Sequence, residues 1–217
     1  MKDNIYMHGI GYNTVHGAYC TEYNPKRQRG VLYDVLDSRY LLSRRLLGLN
    51  TSYGFNGMDY ISLCDYEKRD LFESIKKVNA YTSYIRNSVS LCFDKDKVEE
   101  KIIKPILIDK VPLDAKGLDL MKAYGLNEGE RFSDLPDEVQ VKDKISLSSL
   151  CGITFPTHVF LNYYFFRSDK KRAKKLLDEI CELQSIISYL GYDVSIYDIN
   201  TMEELNNDSI NKLVLKR

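Results

Sequence analysis

Residues 136–153, PDEVQVKDKISLSSLCGI, decide how this chain is read. Val139 and Val141 alternate with Glu138, Gln140 and Lys142, the period-two pattern of a half-buried strand that opens on a carboxylate. A second apolar run, Ile145, Leu147, Leu150 and Ile153, follows at once. The valines predict a strand whatever the protein does. Glu138 is either a solvated residue at a strand mouth or the group around which a site is built, and its company elsewhere in the chain distinguishes the two.

Upstream, NIYMHGI (4–10) predicts a short first strand ending at Gly9, and the polar, glycine-containing stretch 11–30 predicts a long loop. VLYDVLDS (31–38) predicts a short helix ending near Asp37 and Ser38, followed by extended or irregular chain over YLLSRRLLG (40–48). NGMDYISLCD (56–65) is a strand announced by Asn56-Gly57, a pair suited to left-handed turn conformations. Residues 67–85 read as partly helical, NSVSLCFD (87–94) and KPILIDKV (104–111) as strands, and 119–137 as a charged, turn-rich connection. Downstream, residues 168–191 predict a long amphipathic helix. Ser168 and Asp169 cap it, Leu176, Leu177, Ile180, Leu183, Ile186, Ile187 and Leu190 form its apolar stripe, and Gly191 stops it. DVSIYDI (193–199) is a further strand and SINKLVLKR (209–217) a short tail. The sum is an α+β domain spanning 1–217, with a core over about 5–155 and a C-terminal helix-and-strand extension over about 156–217.

With 217 residues, 44% hydrophobic and 29% charged, the chain can bury a sizeable core, which argues against disorder. Lys plus Arg and Asp plus Glu each number 31, so the global charge points to neither nucleic acid, membrane nor an acidic partner. The local run KKRAKK (170–175) is a candidate nucleic-acid contact, but its position in the first helical turns favours a wet helix face. Five cysteines, Cys20, Cys64, Cys92, Cys151 and Cys181, are widely spaced without a CxxC pair, and only His8, His16 and His158 stand beside them, so no zinc site or metal is expected. Four of the five lie in apolar runs, as small core residues do. The N-terminal MKDNIYMHGI lacks an apolar signal core and no stretch reaches membrane-spanning length. A cytoplasmic location without membrane contact is expected, and delivery as an effector by a signal-independent route stays compatible. Tyrosine is abundant, with 17 residues against 8 Phe and no Trp, which suits half-buried strands and also the stacking of flat ligands.

Four pieces in order, MHGI (7–10), DYISLC (59–64), AYTSY (80–84) and DEVQVKDKISLSSLCGI (137–153), resemble the ADP-ribosyltransferase superfamily, in its His–Tyr–Glu branch of diphtheria-toxin-like enzymes and poly(ADP-ribose) polymerases. The resemblance covers roughly residues 5–155 and lies in the joint order, since no single motif is specific. It implies an α+β fold with a split pair of small sheets around an NAD cleft. It also implies transfer of ADP-ribose from NAD, as substrate, to a macromolecular acceptor, protein or nucleic acid, or hydrolysis of NAD. A toxin role with an antitoxin or regulator as partner is compatible.

By the same resemblance His8 and Gly9 hold NAD, Tyr60 and Tyr84 sandwich the nicotinamide, Ser62 helps to orient the carboxylate, and Glu138 is the catalytic carboxylate. Tyr81 competes with Tyr84 for its role. Arg44 and Arg45 are candidates for the pyrophosphate, because a guanidinium binds phosphate bidentately. Two departures stand out. Ile10 occupies the place of the usual Ser or Thr after His-Gly, and Pro136 stands two before the glutamate where arginine-modifying members carry Glu, which argues against arginine as acceptor. An inactive nucleotide- or protein-binding member of the fold, and an unrelated α+β interaction module, are the competing readings.

Overall fold

Alternation of large apolar with small or polar side chains builds the central sheet. The computed structural model describes residues 4–10, 25–48, 59–65, 85, 87–103, 138–163 and 168–215. Among the described residues nine strands run in chain order: β1 (Ile5–Ile10), β2 (Tyr40–Leu42), β3 (Tyr60–Asp65), β4 (Val89–Asp94), β5 (Ile102–Ile103), β6 (Glu138–Lys142), β7 (Lys144–Ser146), β8 (Leu150–Phe155) and β9 (Ile196–Asp198). Four α-helices accompany them among the described residues: α1 (Pro25–Ser38), α2 (Thr157–Tyr163), α3 (Asp169–Tyr189) and α4 (Asn207–Leu215). Seven strands form one sheet in the order β5-β6-β3-β1-β4-β8-β9, while β2 and β7 pair as a separate ribbon. All neighbours are antiparallel except β8 and β9. The class is α+β.

One sheet face carries the main core. Ile10, Ile61, Leu63, Val89, Leu91, Phe93, Val141, Ile153 and Phe155 project into it. The helices cover it with Leu32 and Leu36 of α1, Phe160 of α2, Leu176, Ile180, Leu183 and Ile187 of α3, and Ile210 and Val214 of α4. The other face holds a small cluster of Ile5, Met7, Cys64, Ile85, Cys92 and Ile199, with buried Ser62, Ser90, Gln140 and Thr154 among the alternating positions.

β1 is joined unequally to its neighbours. It pairs with β4 along its whole length, Ile5↔Asp94 through Ile10↔Val89, but with β3 only at Tyr6↔Asp65 and Met7↔Cys64. From His8 onward the two strands no longer pair, so a seam divides β5-β6-β3 from β1-β4-β8-β9. On the far side of β4 the ladder to β8 slips between Cys92 and Phe93, a bulge that inserts Cys151 as an extra residue.

Several expectations are corrected. The first strand extends through Ile10. The loop expected over 11–30 gives way to helix at Pro25, where proline's fixed φ suits a first helical turn. The helix end at Ser38 stands as expected, and Arg39 follows in the left-handed region at φ 63°. The run 144–155 is two strands separated by a 3-10 turn, Leu147–Ser149, so that β7 leaves the main sheet to meet β2.

Ser168 occupies the cap position of α3, yet its side chain makes no capping hydrogen bond. Gly191 does stop that helix, at φ +81°. Its N–H donates to Ser188 O and the Tyr192 N–H to Ile187 O, the double closure that a left-handed residue permits. The expected tail over 209–217 is helical as far as residue 215. Asn206 and Ser209 cap α4 reciprocally, each side-chain oxygen accepting from the other's backbone N–H. Helix α2 was hidden in an apolar run that reads equally well as strand. The expected strand over 104–111, the Asn56-Gly57 turn and the connection 119–137 lie outside the described residues.

Candidate functional site

The candidate site is built at the seam. His8 lies just past the last rung shared with β3, on the same face of β1 as Tyr6 and Ile10, which is the main-core face and the opposite one from that carrying Tyr60 and Ser62 on β3. Its Nδ1 lies 2.8 Å from the carbonyl oxygen of Ser62. A carbonyl accepts only, so Nδ1 carries the proton and the neutral ring presents Nε2 as an acceptor. The imidazole thus occupies the place where strand-to-strand hydrogen bonds have ceased. His8 retains partial solvent contact, yet crowding by protein atoms dominates its titration. Burial lowers its pKa, the hydrogen bond to Ser62 opposes that, and the nearby positive charge of Arg44 lowers it further. The ring is therefore set up as a neutral hydrogen-bonding group rather than a cation.

Tyr60, Ser62 and Cys64 alternate along β3 on the face away from the main core, with Tyr60 half-buried and Ser62 and Cys64 buried. Gly9 is buried on β1, and its partner on β4 is Ser90. Across β3, the register runs Tyr60↔Lys142, Ser62↔Gln140 and Cys64↔Glu138. The backbone of Glu138 therefore stands in one lateral row with Cys64 and Met7, the residue before His8, with strands spaced about 4.8 Å apart. Ser62 faces Gln140 rather than Glu138, so its direct cross-strand neighbour is an amide. Tyr84, Tyr81 and residues 11–24 lie outside the described residues.

The two arginines differ. Both are exposed, on the turn that follows β2. Arg45 grips the Asp59 carboxylate with two nitrogens: Nε lies against Oδ1, and Nη2 donates to Oδ2 at 2.9 Å. Arg44 is the one whose charge reaches His8.

Sequence reasoning missed three residues here. Asp59 accepts at its backbone oxygen from the Asp143 N–H at 2.7 Å, and the Asp143 carbonyl accepts from the Ser43 N–H at 2.7 Å. Asp143 adopts φ 64°, tolerable for Asp and costly for most residues. The third, Gln140, is a buried amide next to Ser62, and the polar phase of the alternating run that contains Val139 and Val141 was its only signal.

A cysteine nucleophile finds no support at this face. Cys92 is fully buried and its thiol is pushed well up, chiefly by that burial, with the neighbouring Cys151 adding to the rise. The Cys151 thiol donates to the Cys92 carbonyl at 3.3 Å. Cys181, by contrast, is exposed on α3. Among the described residues there is no group of three or more His, Cys, Asp or Glu that could hold a metal ion, and no helix long and apolar enough to cross a membrane. Lys170, Lys171 and Lys174 of the basic run face solvent, while Ala173 turns to the core. No family model, curated protein or solved structure matches the chain.

Proposed function

We propose that the protein is an NAD-dependent ADP-ribosyltransferase acting on a macromolecular acceptor, with the seam between β1 and β3 as its cleft. The reading is carried by one observation. At the residue where β1 and β3 part, the His8 ring replaces their pairing by bonding to Ser62 O, and the strand beyond β3 is the one opened by Glu138. Residues far apart in sequence, chosen by motif order alone, thus belong to three laterally adjacent strands. The seven strands form one continuous sheet rather than the split pair implied by the resemblance, and the seam is a local break in its β1–β3 ladder.

The chemistry suits such a site. Breaking the bond between nicotinamide and ribose builds an oxocarbenium-like centre, as glycoside cleavage does. The leaving group already carries a positive charge, so no general acid has to protonate it. A carboxylate beside the ribose stabilises the developing cation and accepts from a ribose hydroxyl, the role of Glu138 in this reading. It also takes a proton from the incoming nucleophile. His8, neutral with Nε2 as acceptor, binds a ribose hydroxyl of the adenosine side and transfers no proton. Tyr60 supplies a ring surface for the nicotinamide, with Tyr84 as its partner. Arg44 meets the pyrophosphate.

Glu138→Gln keeps the shape and removes the charge. Release of nicotinamide from NAD is expected to fall by about 10²–10³-fold, while the NAD-induced rise in melting temperature persists. Undiminished turnover would sink the mechanism. NAD binding without turnover by the unmodified protein would favour an inactive nucleotide-binding member. Labelled NAD incubated with a lysate, then treated with protease or nuclease, identifies the acceptor class.

A further inference from the structure

We infer that Asp59 is a positioning residue for Tyr60, and that Arg45 acts through Asp59 rather than on cofactor phosphate. The inference rests on the reading of Tyr60 as a cofactor-facing ring. Three segments meet at the start of β3. The Ser43 N–H donates to Asp143 O, the Asp143 N–H donates to Asp59 O, and the Arg45 guanidinium holds the Asp59 carboxylate in a two-nitrogen grip. Tyr60 is the next residue, and its rung with Lys142 is the last of the β3–β6 ladder. A strand-terminal residue ordinarily frays. Here the residue before it is tied at both its backbone and its side chain, and the tie comes from the turn that also carries Arg44.

The arrangement divides the labour of the arginine pair. Arg45 is committed to a carboxylate with the planar, forked geometry that suits a guanidinium, and it could reach a phosphate only by giving up Asp59. Asp143, in its left-handed conformation, turns β6 into β7, which pairs with β2 as a ribbon packed on the main core through Leu41 and Ile145. The clasp therefore couples the ribbon to the ring of Tyr60 without touching the cofactor.

The test compares Asp59→Asn, Arg45→Ala and the double variant with the unmodified protein. Each is assayed for nicotinamide release from NAD and for hydrogen–deuterium exchange over the peptide containing residues 59–65. Each single change is expected to raise KM for NAD about five-fold with kcat within two-fold, and the double variant to be no worse than the worse single, because both remove one interaction. Exchange over 59–65 rises in all three, while exchange over β4 is unchanged. Arg45→Ala raising KM as much in the Asp59→Asn background as alone would overturn the inference, since Arg45 would then contact the cofactor directly. Were the unmodified protein unable to turn over NAD, the functional reading would fail on its own. The exchange measurement still decides the clasp, because unchanged protection over 59–65 in Asp59→Asn overturns it.

Discussion

The two sides of β1 are built differently from the same six residues. Toward β4 every residue from Ile5 to Ile10 is paired, and behind the rungs sit Leu91 and Phe93, both with no solvent exposure. Toward β3 pairing stops at Met7, and a histidine side chain takes up a carbonyl that a strand would otherwise have used. The paired side holds the fold together. The unpaired side is where polar groups gather, because a break in a ladder is one of the few places where a sheet interior exposes backbone groups to something other than another strand.

The largest effect should come from the paired side. Leu91 stands opposite His8 on β4, fully buried in the main core. Leu91→Ala is expected to lower unfolding free energy by about 2–5 kcal/mol, read from the urea midpoint. If the seam is the weaker joint, amide exchange in β3 should also proceed through smaller openings than in β4. Equal protection of the two strands would erase the contrast.

Next comes the outer end of the paired half. The buried carboxylate of Asp198 at the end of β9 accepts from the backbone N–H groups of Asn200 and Thr201 and from the Thr157 hydroxyl at the start of α2. Asp198→Ala strands these donors and should cost about 2–3 kcal/mol by thermal or urea unfolding. A loss well below 1 kcal/mol would mean that water replaces the carboxylate and that this end is looser than its burial indicates.

The sequence and the structure agree unevenly, for physical reasons. Strands β3, β4 and β6 were legible because each turns its large apolar residues to one face, so Ile61 and Leu63, Leu91 and Phe93, and Val139 and Val141 imprint a period of two. The body of α3 was legible from its stripe, and its end from Gly191. The seam was not legible, since pairing and non-pairing stretches of β1 share one alternation. The departure of β7 was equally invisible: ISLSSLCGI is apolar-spaced throughout, and the left-handed Asp143 and the 3-10 turn that redirect it leave no periodic trace. At the site, motif order singled out His8, Ser62 and Glu138, whose strands prove adjacent. Asp59 and Gln140 escaped because their roles come from partners distant in sequence, Arg45 and Asp143 for one and Ser62 for the other.

A smaller effect sharpens the seam from its ribbon side. Asp143 adopts φ 64°, where a β-branched side chain is strained. Asp143→Val should cost about 1–2 kcal/mol. Because Asp143 ties Ser43 to Asp59, the loss should appear first as faster exchange over 59–65 and only then in the global midpoint. A purely global loss would show that the seam and the paired half open together.

The smallest effect is a tilt with pH, from the one imidazole at the break. Burial, reinforced by Arg44, holds the pKa of His8 below the ordinary histidine value near 6.5. As pH falls below that value the unfolded chain takes up a proton that native His8 refuses, so the unfolded state binds more protons and stability declines. The decline ends once the native ring protonates too, and above about pH 7.5 this residue contributes no slope. One proton limits the slope to roughly 1.4 kcal/mol per pH unit. The measurement is the difference between unmodified protein and His8→Gln, in which an amide N–H keeps a donor near Ser62 O without titrating. That difference should shrink on acidification below pH 6.5. Were it to grow instead, native His8 would be stabilised as a cation, as beside a carboxylate. The ring would then be a charged partner across the seam, not the neutral acceptor that its hydrogen bond and burial describe.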